Sequence, residues 1–337
     1  MKCDIQKFDD LTPALVAEWR GNEFSKKTGG SPFLTYEFSR AVNEVRRSVY
    51  VAIGTENGKV CYLFPFEFAN VTDKMLQIAS RVGADMSDRM GGIGSVAESI
   101  LLSQVRKSIT AIRFSHYALE DSGALACPEN KVRTGWRLIL DKPIEDYFEL
   151  QVRQHKKRFA NMANRKRKLV SDFGELKLRT TTSVGPSQIE SVIRLKRLQF
   201  RRTGAKDIFD PFAERLLKVL ARSMNSNMSL VYSELYSGNT VFAVHLGIRH
   251  GKLLHYWFPA YLEEFGTYSP GLLMLDAIIR ALPSYGLGQI DFGEGDSEYK
   301  RMFGNCAYKN LHTFSNRRDL RGYLARLGEA FIWRLRA

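Results

Sequence analysis

The stretch LLHYWFPAYLEEFGTYSPGLLMLDAIIRALPSYGLGQIDFGEGDSEYK, residues 253–300, decides how the chain folds. Leu253 to Phe258 is short, apolar and aromatic, as a buried strand is. After a polar loop, Ser269-Pro270-Gly271 opens an apolar segment that runs to about Leu282. Proline costs nothing in a first helical turn and serine is a good cap, so the spacing predicts a helix there. Pro283 and Gly286 stop it, and Gln289 to Phe292 reads as a second strand. The start of such a helix carries free N–H groups and a positive dipole end, which suit an anion such as a pyrophosphate. Beyond the second strand, Asp291, Glu294, Asp296 and Glu298 crowd together around Gly293 and Gly295 and are closed by Tyr299-Lys300. Carboxylates so close are either solvated or used, and in the second case one of them is a candidate general base. The pattern alone leaves both readings open.

Around this stretch the chain has 337 residues, enough for two domains that each bury a core. Its 44% hydrophobic and 26% charged content is that of a soluble globular protein, and no apolar run approaches a bilayer span. The start, MKCDIQKFDD, lacks the apolar run of a secretory signal. Cys3, Cys61, Cys127 and Cys306 lie far apart and read as reduced thiols, so a cytoplasmic location is expected. Six scattered histidines without ligand spacing argue against zinc. The net charge of +14 is concentrated. Gln151 to Ser171 holds eight bases and no acid, and Arg317 to Arg336 holds six arginines against Asp319 and Glu329. Anionic partners are therefore expected at those two surfaces. The first stretch has only Phe159 for stacking, which argues against general nucleic-acid binding.

Taken in order, Thr35 to Val45 has helical spacing, and Asn57-Gly58 joins strands Tyr50–Ile53 and Val60–Phe68 in a hairpin. Met75 to Val82 reads as a strand, Gly83 to Gly94 as a glycine-rich loop carrying Asp85, Asp88 and Arg89, and Val96 to Ile112 as a helix. Phe114 to Leu119 and Trp136 to Leu140 are strands, and Asp141-Lys142-Pro143 closes the first half. The boundary is expected near residue 150, giving domains 1–150 and 151–337. The second half opens with the basic helix, continues with helices Ser187–Arg202 and Phe212–Met224, and then has three strands, Leu230–Leu235, Thr240–Ile248 and Leu253–Phe258. The first half repeats a blurred version of the same order. In the tail, Leu320, Tyr323, Leu324, Leu327, Phe331 and Leu335 form an apolar stripe on a helix. That stripe is expected to close the core of the second domain; contact with an anionic membrane surface is the competing reading.

The motifs Tyr268-Ser269-Pro270-Gly271-Leu272-Leu273, Asp291-Phe292 and Gly295-Asp296-Ser297-Glu298-Tyr299-Lys300 resemble an acetyltransferase-like family associated with bacterial cellulose and exopolysaccharide biosynthesis. That family belongs to the GNAT superfamily and is related to FemAB-type peptidyltransferases. Ser31 to Phe38 is similar to its first helix, and Lys157 to Leu169 to the helix opening its second half. The superfamily's Arg/Gln-x-x-Gly-x-Gly/Ala loop is absent in strict form, with Tyr268-Ser269-Pro270-Gly271 in its place. The resemblance implies an α/β (α+β) protein of two tandem GNAT-like domains, each a mixed, mainly antiparallel sheet flanked by helices. It implies an acyltransferase that moves an acyl group from acyl-CoA, without a metal, to a sugar, polysaccharide precursor or related small molecule, at the cytoplasmic side of the inner membrane.

Within that reading Ser269, Pro270, Gly271 and Leu272 are expected to hold the donor phosphates, and Asp291, Asp296, His255 and Lys300 to carry the chemistry. Tyr256, Glu294, Tyr299, Asp88 and Arg89 are expected to meet substrate. His245 and His255 lie in adjacent strands, where a core role competes with a catalytic one. Two further classes stand beside this: a FemAB-type transfer, in which the basic helix receives transfer RNA, and a non-catalytic module that has kept the fold and lost the donor.

Overall fold

A computed structural model describes residues 2–24, 29–94, 104–105, 107–118, 131–223, 225 and 227–336. The chain divides into two compact units: Met1–Thr134 with Tyr308–Ala337, and Gly135–Ala307.

The first unit has a sheet of four strands in the order β1 (Lys2–Lys7), β2 (Val49–Glu56), β3 (Lys59–Glu67), β5 (Ile93–Gly94). The expected hairpin forms its centre, with Asn57 and Gly58 both at positive φ in the turn. Helix α1 (Pro13–Asn22) is capped by the Thr12 hydroxyl and α2 (Tyr36–Arg46) by Thr35. The expected strand at Met75–Val82 is mostly other structure. Asn70 caps a short helix, α3 (Val71–Met75), and only β4 (Ile78–Ala79) is extended, pairing parallel with β6 (Ala111–Ala118). Most of the helix expected over Val96–Ile112, and Leu119, lie outside the described residues, but its last two positions, Ala111 and Ile112, belong to β6. The unit is completed by β13 (Cys306–Asn316), antiparallel to β6, and by α10 (Leu320–Arg336).

In the second unit the strand order is β7 (Lys131–Ile139), β12 (Gln289–Glu294), β11 (Leu253–Tyr261), β10 (Thr240–His250), β9 (Met228–Ser237), β8 (Lys177–Thr181). All neighbours are antiparallel except β11 and β12, which are parallel because α8 (Pro270–Ala281) crosses between them. Helices α4 (Ile144–Gln154), α5 (Lys156–Phe173) and α8 share one core with the strands, in which Phe148, Phe159, Met162, Leu273, Ile279, Leu254 and Ile290 are buried. Helices α6 (Pro186–Thr203) and α7 (Pro211–Arg222) pack against β11 and β9. These are mixed, mainly antiparallel sheets flanked by helices, the expected fold class.

The units differ from the division expected near residue 150. Residues 135–150 go with the second unit, and the tail with the first. The cause is long-range: β13 finds its partner in β6, and Glu329 of α10 is gripped by Arg113 of β6 at 2.6 Å. The described part of the tail's apolar stripe does not close the second core; the side chains of Phe331 and Leu335 lie outside the described residues. Leu320, Tyr323, Leu324 and Leu327 are exposed, and Ala325 and Glu329 face inward. Among the described residues no helix is long and apolar enough to cross a membrane.

Candidate active site of the second unit

The site grows out of one interruption in the sheet. Strands β11 and β12 pair at Leu253↔Gln289, Leu254↔Ile290 and His255↔Asp291 only, although β11 runs on to Tyr261 and β12 to Glu294. Beyond His255 and Asp291 the two strands no longer share a ladder. On its other side β12 shifts register against β7 between Asp291 and Glu294, and Gly293 there takes φ +71°. A β-bulge of this kind turns backbone groups out of the ladder.

Asp291 holds this bulge together. It is buried, its Oδ1 accepts from the Gly293 N–H at 2.8 Å, and its Oδ2 accepts from Arg137 Nε at 2.9 Å. His255 Nδ1 lies 4.0 Å from Asp291 Oδ1. Lys300, from the short helix α9 (Glu298–Phe303), closes the bulge from above. Its side chain is buried, and Nζ donates to the Glu294 carbonyl at 2.6 Å and to the Gly293 carbonyl at 3.3 Å. A buried ammonium held on backbone carbonyls is a fixed positive charge, the kind of group that stabilises a developing negative charge.

The aromatic members are at the same place. Tyr299 meets the edge of Phe292, and burial pushes its hydroxyl up to about 12. The Tyr256 hydroxyl is pushed well above the ordinary tyrosine value by burial and by Tyr299 nearby. Both phenols stay protonated donors across physiological pH. Tyr256 stacks on His245 with ring centroids 4.3 Å apart. His245 is fully buried, has no hydrogen-bond partner for either ring nitrogen, and is pushed down to about 3 by burial and by His255. His245 is therefore a neutral core residue supporting Tyr256. Gly247 must be glycine beside it, because a Cβ there would lie 2.6 Å from the His245 ring and 2.9 Å from the His255 carbonyl.

The connection from β11 to α8 forms the second half of the site. Ser269 sits at the start of α8 with φ +52°, and its carbonyl accepts from Leu272 and Leu273. The sequence predicts that its hydroxyl caps the helix, but it meets Arg165 of α5 instead. Arg202 of α6 donates to the Tyr261 hydroxyl at 2.9 Å, and Lys168 lies 5.6 Å from the Tyr268 ring centroid, whose hydroxyl donates to Asp172. Arg165 thus sets a cation at the helix N-terminus, and Arg202, paired with Glu263 at 3.3 Å, lies against the strand before it.

The fold brings His255, Tyr256, Asp291, Glu294, Tyr299 and Lys300 to the end of the ladder, and places Ser269, Pro270, Gly271 and Leu272 at the helix start that follows β11. Asp296 is exposed and paired with Arg301 at 2.9 Å, and Glu298 pairs with Arg158. Asp88 and Arg89 belong to the first unit, where Asp88 lies 3.9 Å from His116 Nε2 and the buried Arg89 sits 5.9 Å from the Tyr308 ring. Sequence reasoning missed Arg137 and Arg165. The signal for Arg137 was a lone charge inside the apolar run Trp136–Leu140, which demands a buried partner. Arg165 carried none, being one of eight bases in its run.

Residues 156–301 match the family profile described as "Acetyltransferase (GNAT) domain". The second unit thus carries an acyltransferase domain of the GNAT type. No curated protein matches the chain. Among solved structures, that of FemX is 13% identical with a TM-score of 0.63, covering 97% of this chain and 99% of its own. A conserved protein of unknown function from Bacteroides thetaiotaomicron VPI-5482 is 10% identical with a TM-score of 0.52, over 90% of this chain and 98% of its own. At such identities the likeness shows the shared fold.

Proposed function

We propose that the second unit transfers an acyl group from acyl-CoA to an amine or hydroxyl of a sugar, polysaccharide precursor or related small molecule, in the cytoplasm. The observation that carries this reading is the ending of the β11–β12 ladder at His255 and Asp291, with the Lys300 ammonium over the bulge. An extended thioester arm needs backbone groups that no neighbouring strand has taken, and a parted pair of parallel strands offers them. Ser269, Pro270, Gly271 and Leu272, with Arg165 beside them, receive the donor's phosphates at the α8 N-terminus. Lys300 stabilises the oxyanion formed when the acceptor attacks the acyl carbon. His255, facing Asp291, takes the acceptor's proton, and Tyr256 or Tyr299 supplies one to the departing thiolate. Asp291 positions the bulge rather than touching substrate. Glu294 orients the acceptor, and the exposed Asp296 steers it.

A thermal melt in the presence of acyl-CoA species tests this. A site saturated at ~100 times its dissociation constant stabilises the protein by ~2.7 kcal/mol. The expected result is a raised melting temperature with at least one acyl-CoA. A second reading, FemAB-type aminoacyl transfer, is favoured by the outward bases of α5 and by the FemX-like fold over nearly the whole chain. No shift with any acyl-CoA, together with binding of aminoacyl-tRNA, selects that reading and overturns the first.

A further inference from the structure

Helix α10 is docked with its small residues inward. Its buried face is Gly322, Ala325 and Glu329, spaced at i, i+3 and i+7. Ala325 packs with Ile78, Ala111 and Phe314. Glu329 takes a bidentate hold on Arg113, which also binds Asp73 of α3 at 3.0 Å. This buried ion pair fixes the rotation of the helix, because turning it would strand the charges in a poorly hydrated place. The same rotation turns the large apolar residues outward. Leu320 is 74% exposed, and Tyr323, Leu324 and Leu327 continue the exposed row. Helix α3, tied to the same arginine, also presents its apolar residues to solvent, with Met75 80% exposed and Val71 beside it.

We propose that this face is a docking surface for an anionic phospholipid membrane. The occupant follows from the charges around the row. Arg317 and Arg318 just before α10, Arg321 and Arg326 on it, and Lys74 on α3 flank the row, all of them exposed. The acid just before that helix, the half-buried Asp319, is paired with Arg317 at 2.8 Å. Leucines between arginines fit an interface that is hydrocarbon below and anionic above. A second copy of the chain would set arginine against arginine. Nucleic acid would leave the leucines without a partner, with Tyr323 alone among the described side chains of that helix for stacking.

The test is co-sedimentation of the full chain with phosphatidylcholine vesicles, with and without phosphatidylglycerol. The protein is expected in the pellet only with phosphatidylglycerol, and released by high salt. Arg318→Ala and Arg321→Ala each lower partitioning about fivefold, from the contribution of one basic residue near an anionic surface. Leu324→Asp with Leu327→Asp abolishes it and leaves the melting temperature unchanged. Protein that stays in the supernatant with phosphatidylglycerol vesicles overturns the proposal. So does equal binding to neutral vesicles, or a dimer in solution that the leucine variants dissolve. A double leucine variant that unfolds also overturns it, since that places the row in a core.

Discussion

Replacing Lys300 by methionine isolates its charge from its packing. The side chain is buried, and methionine keeps an apolar stem of nearly the same length. What is lost is the ammonium, with its bonds to the Glu294 carbonyl at 2.6 Å and to the Gly293 carbonyl at 3.3 Å. The Glu294 carbonyl is only part-buried and regains water, and the Gly293 bond is long. The stability loss is therefore at least that of one good charged hydrogen bond, about 1–3 kcal/mol. For a unit of this size each kcal/mol lowers the melting temperature by roughly 2–4 °C. Catalysis should suffer more. Removing one preorganised oxyanion donor lowers kcat by about 10²–10³-fold. The assay is release of free CoA thiol from the acyl-CoA that stabilises the wild type, with kcat and KM for the donor measured separately. A fall in kcat with KM unchanged is expected, because the interaction forms only as negative charge develops. An unchanged kcat, or a loss confined to KM, refutes the assignment and leaves Lys300 as a clamp on the bulge.

Three further outcomes are expected. Gly271→Asp puts a carboxylate at the α8 N-terminus, where a Cβ has ordinary clearance at 3.5 Å from Tyr261; calorimetry should show donor affinity reduced about tenfold or more, while a thermal melt shows stability kept or slightly raised. Arg113→Met strands Asp73 and Glu329 inside the first unit and should cost about 3–5 kcal/mol in a denaturant titration. Burial pushes Glu67 up to about 7 against the opposing pull of Arg46. A raised folded value means stability is full below the unfolded value of 4.5 and is lost as pH rises toward 7, at a slope of at most about 1.4 kcal/mol per pH unit. The stability difference between wild type and Glu67→Gln should change across that window and be flat above it; a difference constant from pH 4 to 8 rules this out.

The sequence by itself determined the local elements wherever side chains speak to their own backbone. Asn57-Gly58 made the hairpin, Pro270 started α8, and the apolar run at Leu253 became β11. It also placed the cluster from Asp291 to Lys300 directly after a strand, because the order strand, helix, strand suits a parallel pair with a crossover. Tertiary structure decided everything that depends on distant partners. It ended the β11–β12 ladder at His255 and Asp291, and it divided the crowded carboxylates into a buried clip held by Arg137 and a solvated Asp296 paired with Arg301. It brought Arg165 from α5 to Ser269 at the start of α8, two stretches far apart in the chain. It reversed the tail as well. Periodicity shows that Leu320, Tyr323, Leu324 and Leu327 share a face of α10, but not whether that face points in. The buried Arg113–Glu329 pair fixed that, since holding an ion pair in the interior demands one rotation of the helix, and that rotation leaves the leucines in water.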